Sequence, residues 1–540
     1  MHPRYIFITG GVISGLGKGI TSASLGRILK SKGYRVTNIK CEMYVNVDAG
    51  TIRPTEHGEI FVTDDGVECD QDIGTYERFL DQNIYKECFL TTGQIYRSVI
   101  ERERNFKYEG EDVEVVPHVP QEIIRRIKLA TKKTKAEIAI IELGGTVGEY
   151  QGVLFLEAAR MMEFESPSDV IHIHVSYLPI PKNIGEMKTK PVQYSVRTLN
   201  AAGIQPDFII GRAEREMDQK RKEKIAYSCN VKIENVISNP DVPSIYEVPL
   251  ILERQKLGEK ILKTFDLKSR SYDMRDWKKL VKKIKSVKKE VKIGIVGKYF
   301  KTGDFSLEDS YISVIEAIKH AAFAHNLKPK NFWIDSAKYE NDKNKARELK
   351  EFDGIIVPGG YGSRGTEGKI AAIKFVREHK IPYLGLCLGM QLACIEFSRN
   401  VLKLKDAATT EINPKTKHPV ICVMEYQKKL LAKKQYGATN RLGAYLCRLK
   451  KSSRTFFAYK KAMISERHRH RYEFNNKYIK AFEAKGMIFS GINPQMNLIE
   501  IIELQNHPFF LATQFHPEFK SRPLSPHPLF LNFIAAAKNH

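Results

Sequence analysis

Short apolar runs alternate with stretches of helical periodicity along most of this 540-residue chain. Tyr5 to Thr9 reads as a buried strand, and a glycine-rich stretch leads from it into a helix running from near Lys18 to near Gly33. A second buried run ends at Glu142. The same rhythm returns later in Ile293 to Val296, a helix through Ile312 to Ala324, Phe332 to Ala337, and Gly354 to Gly360. Ile381 to Leu384 is another short apolar run, and a helical pattern begins around Met390. This alternation predicts an α/β protein: two doubly wound domains with mainly parallel sheets. Between the halves, Leu280, Ile284, Val287 and Val291 recur every three or four residues among lysines. That stripe predicts an amphipathic linker helix packed on a neighbour, the alternative being a helix on a membrane or nucleic acid. The boundaries fall at 1–265 for an amino-terminal domain, 266–290 for a basic linker and 291–540 for a carboxy-terminal domain.

Length supports this division, since 540 residues exceed one ordinary core. The hydrophobic fraction of 42% suits a soluble protein, and no apolar run is long enough for a bilayer. The opening MHPRYIFITGG resembles neither a signal nor a transit peptide. Eight cysteines without a C-x-x-C pair indicate neither a zinc site nor a disulfide framework, so a cytoplasmic protein with reduced thiols is expected. The net charge of +24 favours anionic ligands such as nucleotides. Its lysines are spread along the chain without a nucleic-acid signature, so neither a nucleic-acid nor a membrane partner is expected.

The densest chemistry lies in GLCLGMQ, residues 385 to 391. A Gly-x-Cys-x-Gly sequence between strand and helix is the sulfur counterpart of a nucleophile elbow. Gly385 and Gly389 permit the tight turn, and the N–H of Leu388 is placed to stabilise an oxyanion. A buried structural cysteine is the alternative for Cys387 alone. Downstream, FFLATQFHPEF alternates like a strand, which puts His516 and Glu518 on one face. Glu518 then orients the imidazole, and His516 takes the thiol proton.

In the amino-terminal half, GGVISGLGKG joins a strand to a helix as a phosphate-binding loop does. The strict G-x-x-x-x-G-K-[ST] pattern fails at Val12 and Gly19, so a simple tight turn is the alternative. Glu68, Asp70 and Asp72 form one acidic cluster, and Glu142 follows a buried strand where a magnesium-binding acid sits in phosphate-loop proteins. Lys188 and Lys190 are expected on a loop ended by Pro191, suited to a triphosphate or simply exposed.

Residues from about 291 onward resemble class I glutamine amidotransferases, with Gly360 of VPGGYGSRG at a glutamine contact. TGGVISGLGKG, KCEMYVNVDAGT, EHGEIFVTDDG, DIGTYERF, GGTVGE and GEMKTKPVQYS extend the likeness, so that the whole chain resembles the CTP synthase family. The resemblance implies ATP-dependent amination of UTP with ammonia from glutamine. It implies ATP contacts at Gly15, Leu16, Gly17, Lys18, Gly19 and Ile20, assistance from Lys40, and Mg2+ held by Asp72 and Glu142. UTP would meet Ser14, Lys188, Thr189, Lys190, Pro191, Val192, Gln193 and Lys224, and adenine would meet Pro240, Asp241 and Val242. Leu388, Gly389, Met390 and Gln391 match glutamine contacts, with Glu411 for the α-amino group and Arg471 for the carboxylate. Residues 425–444 resemble a lid implicated in activation by GTP. An internal ammonia passage, a homotetramer and filaments are further implications.

Several positions depart from the family pattern. Cys41, Glu42 and Met43 stand in its KxDPY segment, Val192 and Tyr194 in KPTQHS, and Pro240 where lysine is usual. Glu149, Tyr150 and Gln151 replace the segment that recognises CTP, which predicts altered feedback inhibition. A cobyrinate-type amidase and a catalytically weak, filament-forming nucleotide binder are the alternative functions. The KTKP segment, the intact GTVG and the complete triad argue against them.

Overall fold

The computed structural model describes residues 2–298, 301–302, 305–306, 308–360, 362, 364–423 and 440–540. Residues 425–439 of the expected lid lie outside the described residues. The chain forms two compact units, Met1–Ala49 with Asp72–Lys282, and Gly50–Gln71 with Lys283–His540. Residues 50–71, placed by sequence in the amino-terminal domain, therefore pack with the carboxy-terminal unit.

The first unit is built on a seven-stranded, wholly parallel sheet. Its order is Phe89–Thr91, Val36–Glu42, Ile138–Leu143, Arg4–Gly11, Val170–Tyr177, Phe208–Ala213, Val236–Pro240. Helices cover both faces, which is why strands such as IAIIEL carry apolar residues without alternation. Strand Arg4–Gly11 lies between strands reached in opposite directions. In open α/β sheets the crevice beyond the carboxyl end of such a strand is where ligands bind. Here that end continues into the glycine loop and the helix Lys18–Ser31.

The second unit carries nine strands, ordered Lys328–Asp335, Glu290–Gly297, Gly354–Val357, Tyr383–Leu386, Phe510–Thr513, Ile499–Leu504, Met487–Ile492, Arg441–Leu449, Met463–His470. The first five run parallel, and the remaining four continue the sheet antiparallel. Apolar residues of helices Thr366–Glu378 and Leu388–Asn400 pack in one core, and those of Ile312–Ala324 and Pro528–Lys538 in another. A hairpin of Ile60–Val62 and Glu68–Asp70 belongs to this unit.

Three local expectations change. The linker helix is Arg275–Ser286, and Val291 lies in the strand Glu290–Gly297. The face it buries is Trp277 and Val281, with Trp277 Nε1 donating to Tyr246 O at 2.8 Å. The aromatic anchor thus sets the helix rotation, one turn earlier than the aliphatic stripe suggested. Pro191 does not end a loop but opens the helix Lys190–Ala201, where its missing N–H costs nothing. His516 and Glu518 lie beyond the strand, which stops at Thr513, and Pro517 opens a short turn of helix, Pro517–Lys520, that carries Glu518.

Candidate active sites

In the second unit, strand Tyr383–Leu386 ends at Cys387 and helix Leu388–Asn400 begins directly after it. Cys387 has φ 51° and ψ −100°, a strained conformation that lifts its side chain out of the sheet. The N–H of Leu388, in the first helical turn, has no intrahelical acceptor and is available to an oxyanion. His516 Nδ1 lies 2.7 Å from Glu518 Oε1, so the pairing expected from sequence forms through a turn rather than along a strand. Burial lowers the imidazole pKa, but the charges of Glu518 and Cys387 outweigh it and carry the value up to about 10. A side chain at Gly359 would come within 2.9 Å of His516 Cε1, so this strand end approaches the imidazole only as glycine. Cys387, His516, Glu518, Gly360, Arg469 and Arg471 line one cavity of about 320 Å³, walled also by Ile52, Arg53, Glu59 and Ile60.

Two residues beside the thiol escaped the sequence reading. Gln514 Nε2 donates to Cys387 Sγ at 3.7 Å, and Arg469 O lies 3.8 Å from the same sulfur. A third, Lys369, is fully buried with Nζ lacking a hydrogen-bond partner among the described residues, and burial followed by Lys298 lowers its pKa to about 7. Gln514 sits two residues before His516, but both follow the strand end at Thr513, so no strand periodicity points to it.

In the first unit the glycine loop turns through Gly15 and Gly17 at positive φ, and Val12 also adopts φ 84°. Glycine stands at position 19 because a Cβ there would lie 2.0 Å from Asp72 Oδ1. The two departures from the phosphate-loop pattern therefore mark a strained entry and a close approach of Asp72. Lys18 donates to Gly145 O at 2.5 Å, and its pKa is lowered chiefly by burial. Lys40 Nζ is 2.9 Å from Glu142 Oε1 and 3.3 Å from Glu42, and it also pairs with Asp72. Burial opposes its charge, yet Asp72, Glu142 and Glu42 together raise its pKa well above the ordinary lysine value. Tyr76 OH donates to the other oxygen of Glu142.

The family model described as "CTP synthase N-terminus" matches residues 4–267, and "Glutamine amidotransferase class-I" matches 306–536. A CTP synthase of Caldanaerobacter subterraneus subsp. tengcongensis is 50% identical over 537 residues, 99% of this chain and 98% of that protein. One from Sulfolobus acidocaldarius is 50% identical over 534 residues, 99% of both chains. The chain belongs to the CTP synthase family. A glutaminase domain of the Trypanosoma brucei enzyme with bound acivicin is 38% identical, covering 46% of this chain and 94% of that one at a TM-score of 0.43. As a CTP synthase the chain catalyses ATP-dependent amination of UTP with ammonia released from glutamine. The cobyrinate-type and scaffold alternatives are not favoured.

Of the expected CTP synthase contacts, Gly360 and Arg471 lie on the cavity with Cys387. Glu411 Oε1 accepts from the N–H of Gly362 at 3.3 Å. Leu388 and Met390 are in the apolar core, and Gln391 Nε2 donates to Tyr472 O at 2.9 Å. Around the nucleotide loop, Ser14 is exposed. Lys188 pairs with Glu186 at 2.6 Å, and Glu186 also pairs with Arg221, on the helix Gln219–Ser228 that carries exposed Lys224. Val192 is fully buried in an apolar cluster and Gln193 Nε2 donates to Thr189 Oγ1, so both side chains are committed inside the protein. Asp241 pairs with Arg212 at 2.8 Å, and Arg212 also donates to Pro240 O and Leu16 O. Arg212, unmarked in the sequence reading, thus ties the glycine loop to the expected adenine segment.

Proposed function

We propose that the two units divide the reaction, with nucleotide chemistry in the first and glutamine hydrolysis in the second. The observation that carries this reading is the gathering of Lys40 and Glu142, near the ends of two strands of the first unit, with Asp72 from the first turn of the helix Gln71–Leu80. Carboxylates of Asp72 and Glu142 both reach one ammonium, so an oxygen donor set already converges on a cation. These two residues would hold magnesium, which when bound supplies charge to balance ATP phosphates. Lys18 and the loop Gly15–Ile20 bind and orient the phosphates, and Lys40 screens the carboxylates. The γ-phosphoryl group passes from ATP to the uracil 4-oxygen, giving ADP and a phosphorylated intermediate. Ammonia then attacks C4, phosphate leaves, and a proton is released as CTP forms.

In the second unit, His516 takes the proton of Cys387 and Sγ attacks the glutamine amide carbon. The N–H of Leu388 meets the developing oxyanion, and Glu518 stabilises the imidazolium. Ammonia leaves with the proton from His516, and water hydrolyses the thioester to glutamate. Arg471 receives the substrate carboxylate and Glu411 its ammonium.

The finer reading also includes GTP as activator through the 425–444 segment, a homotetramer able to form filaments, and a cytoplasmic setting. Among the described residues no helix is long and apolar enough to cross a membrane. The test is ultraviolet absorbance of UTP conversion with glutamine and, separately, with ammonium chloride, each with and without magnesium. Conversion from both nitrogen sources that stops without magnesium supports the reading. Conversion that persists in excess chelator would remove magnesium and the Asp72–Glu142 pair from it.

A further inference from the structure

Strand Met463–His470 and the residue after it read Arg467-His468-Arg469-His470-Arg471, and period-two geometry sorts them. His468 and His470 are buried, with His468 Nδ1 2.9 Å from His470 Nε2. The arginine face meets the hairpin Ile60–Asp70 instead. Arg467 Nε donates to Asp64 Oδ1, and Arg469 Nε donates to Glu68 Oε1 at 2.7 Å. Asp64 O also accepts from the N–H of Ala444, which pins the hairpin tip to the next strand.

The backbones of these two arginines touch the catalytic pair. Arg467 O accepts from the N–H of His516 at 2.8 Å, and Arg469 O lies 3.8 Å from Cys387 Sγ. A second path runs through rings. Phe61 packs on Phe519 with centroids 5.0 Å apart, and Phe519 stacks on the His516 imidazole at 4.9 Å and 14°. The guanidinium of Arg467 lies over the Phe61 ring. Arg471, third on the arginine face, lines the cavity.

We propose that the hairpin Ile60–Asp70 is the positioning element of the glutaminase triad, acting through Phe61, Asp64 and Glu68. Phe61 and Phe519 hold the imidazole plane against Cys387. Asp64 fixes the Arg467 peptide that orients His516. Glu68 neutralises Arg469, which also borders the cavity, so that Arg469 does not compete with Arg471 for the substrate carboxylate. This rests on the glutaminase reading of Cys387. It places triad geometry under a segment that lies within the match to the synthase family model and outside the match to the amidotransferase one.

The test uses full-length protein, with Phe61→Leu to keep an apolar filler, Phe61→Tyr to restore the ring, and Glu68→Gln as an independent variant. Glutamate release is measured with ATP, UTP and magnesium present, beside ammonia-dependent CTP formation and the pH profile of Cys387 alkylation by iodoacetamide. Phe61→Leu should lower kcat for glutamine about 10- to 100-fold with little change in KM. Its alkylation midpoint should move to higher pH, and Phe61→Tyr should restore both. Glu68→Gln should chiefly raise KM for glutamine. Ammonia-dependent synthesis should stay within about twofold of wild type in all three. Wild-type kcat and alkylation profile in folded Phe61→Leu, with wild-type KM in Glu68→Gln, overturn the proposal. So does loss of ammonia-dependent synthesis with glutamine hydrolysis spared. Absence of glutamine hydrolysis in the wild-type protein would instead refute the glutaminase reading itself.

Discussion

The Nδ1 of His516 lies 2.7 Å from Oε1 of Glu518, and both side chains are buried beside Cys387. Glu518 and Cys387 hold the imidazole pKa at about 10 against burial, compared with an ordinary 6.5. A folded-state pKa above the unfolded one contributes stability that is complete below about 6.5 and is lost as pH rises through about 10. Glu518→Gln should therefore cost most stability below pH 6.5 and progressively less towards pH 10. Denaturant unfolding of both proteins across this range checks the sign; a difference that grows with pH contradicts it. The same variant should lose about 10²–10⁴ in kcat for glutamine hydrolysis.

Lys18→Ala should eliminate CTP formation from glutamine and from ammonia alike, because phosphoryl transfer depends on positioned charge. The buried lysine reaches over Gly10 to Gly145 O, with no other cation of the glycine loop to replace it among the described residues. Initial rates with each nitrogen source decide the matter. An ammonia-dependent rate near wild type removes Lys18 from the mechanism.

Lys40→Ala leaves Glu42, Asp72 and Glu142 without their shared ammonium. Breaking a buried ion pair in this way costs about 3–5 kcal/mol. Magnesium should recover part of that loss, so the variant's melting temperature should rise more on adding magnesium chloride than that of wild type. Equal rises in thermal-shift assays, with calcium and sodium as controls, would contradict a cation site at Asp72 and Glu142.

Sequence reading reached the parts governed by local rules. The elbow at Cys387 and the loop before Lys18 follow from glycine spacing between a short apolar run and a helical one, and both formed where expected. It misplaced His516 and Glu518 on a strand because alternation in FFLATQFHPEF persists past Thr513, where the strand ends, into the turn of helix at Pro517–Lys520. The linker stripe failed for a related reason: Trp277 finds Phe79 and Tyr246, far away in sequence, and these contacts set the buried face. Nothing local reveals that residues 50–71 pack with the second unit. By sequence Glu68 belongs to an acidic cluster with Asp70 and Asp72, and nothing local shows that Asp64 and Glu68 meet Arg467 and Arg469.

Feedback by CTP is expected to be weaker than is usual for the family. Glu149 turns back on its own loop, where Oε1 accepts from Thr146 N–H at 2.7 Å, while Tyr150 and Gln151 are exposed. A neutral Gln151 gives up a charged acceptor worth roughly 1.5–3 kcal/mol in a hydrogen bond. Each ~1.4 kcal/mol lost weakens binding about tenfold. UTP affinity should change little, since Lys188, Lys190 and Lys224 remain. Titrating CTP against wild type and Gln151→Glu at fixed UTP tests this, and it fails if the reversion leaves inhibition unchanged.

The division of labour between the two units is tested most directly by Cys387→Ala, assayed for UTP conversion with glutamine and with ammonium chloride. Cys387 is the only nucleophile assigned to glutamine, and the Lys18, Lys40, Asp72 and Glu142 cluster belongs to the other unit. The variant should make no CTP from glutamine and should keep nearly the wild-type rate from ammonia. Loss of both activities in a folded protein, or retention of glutamine-dependent synthesis, would contradict the account.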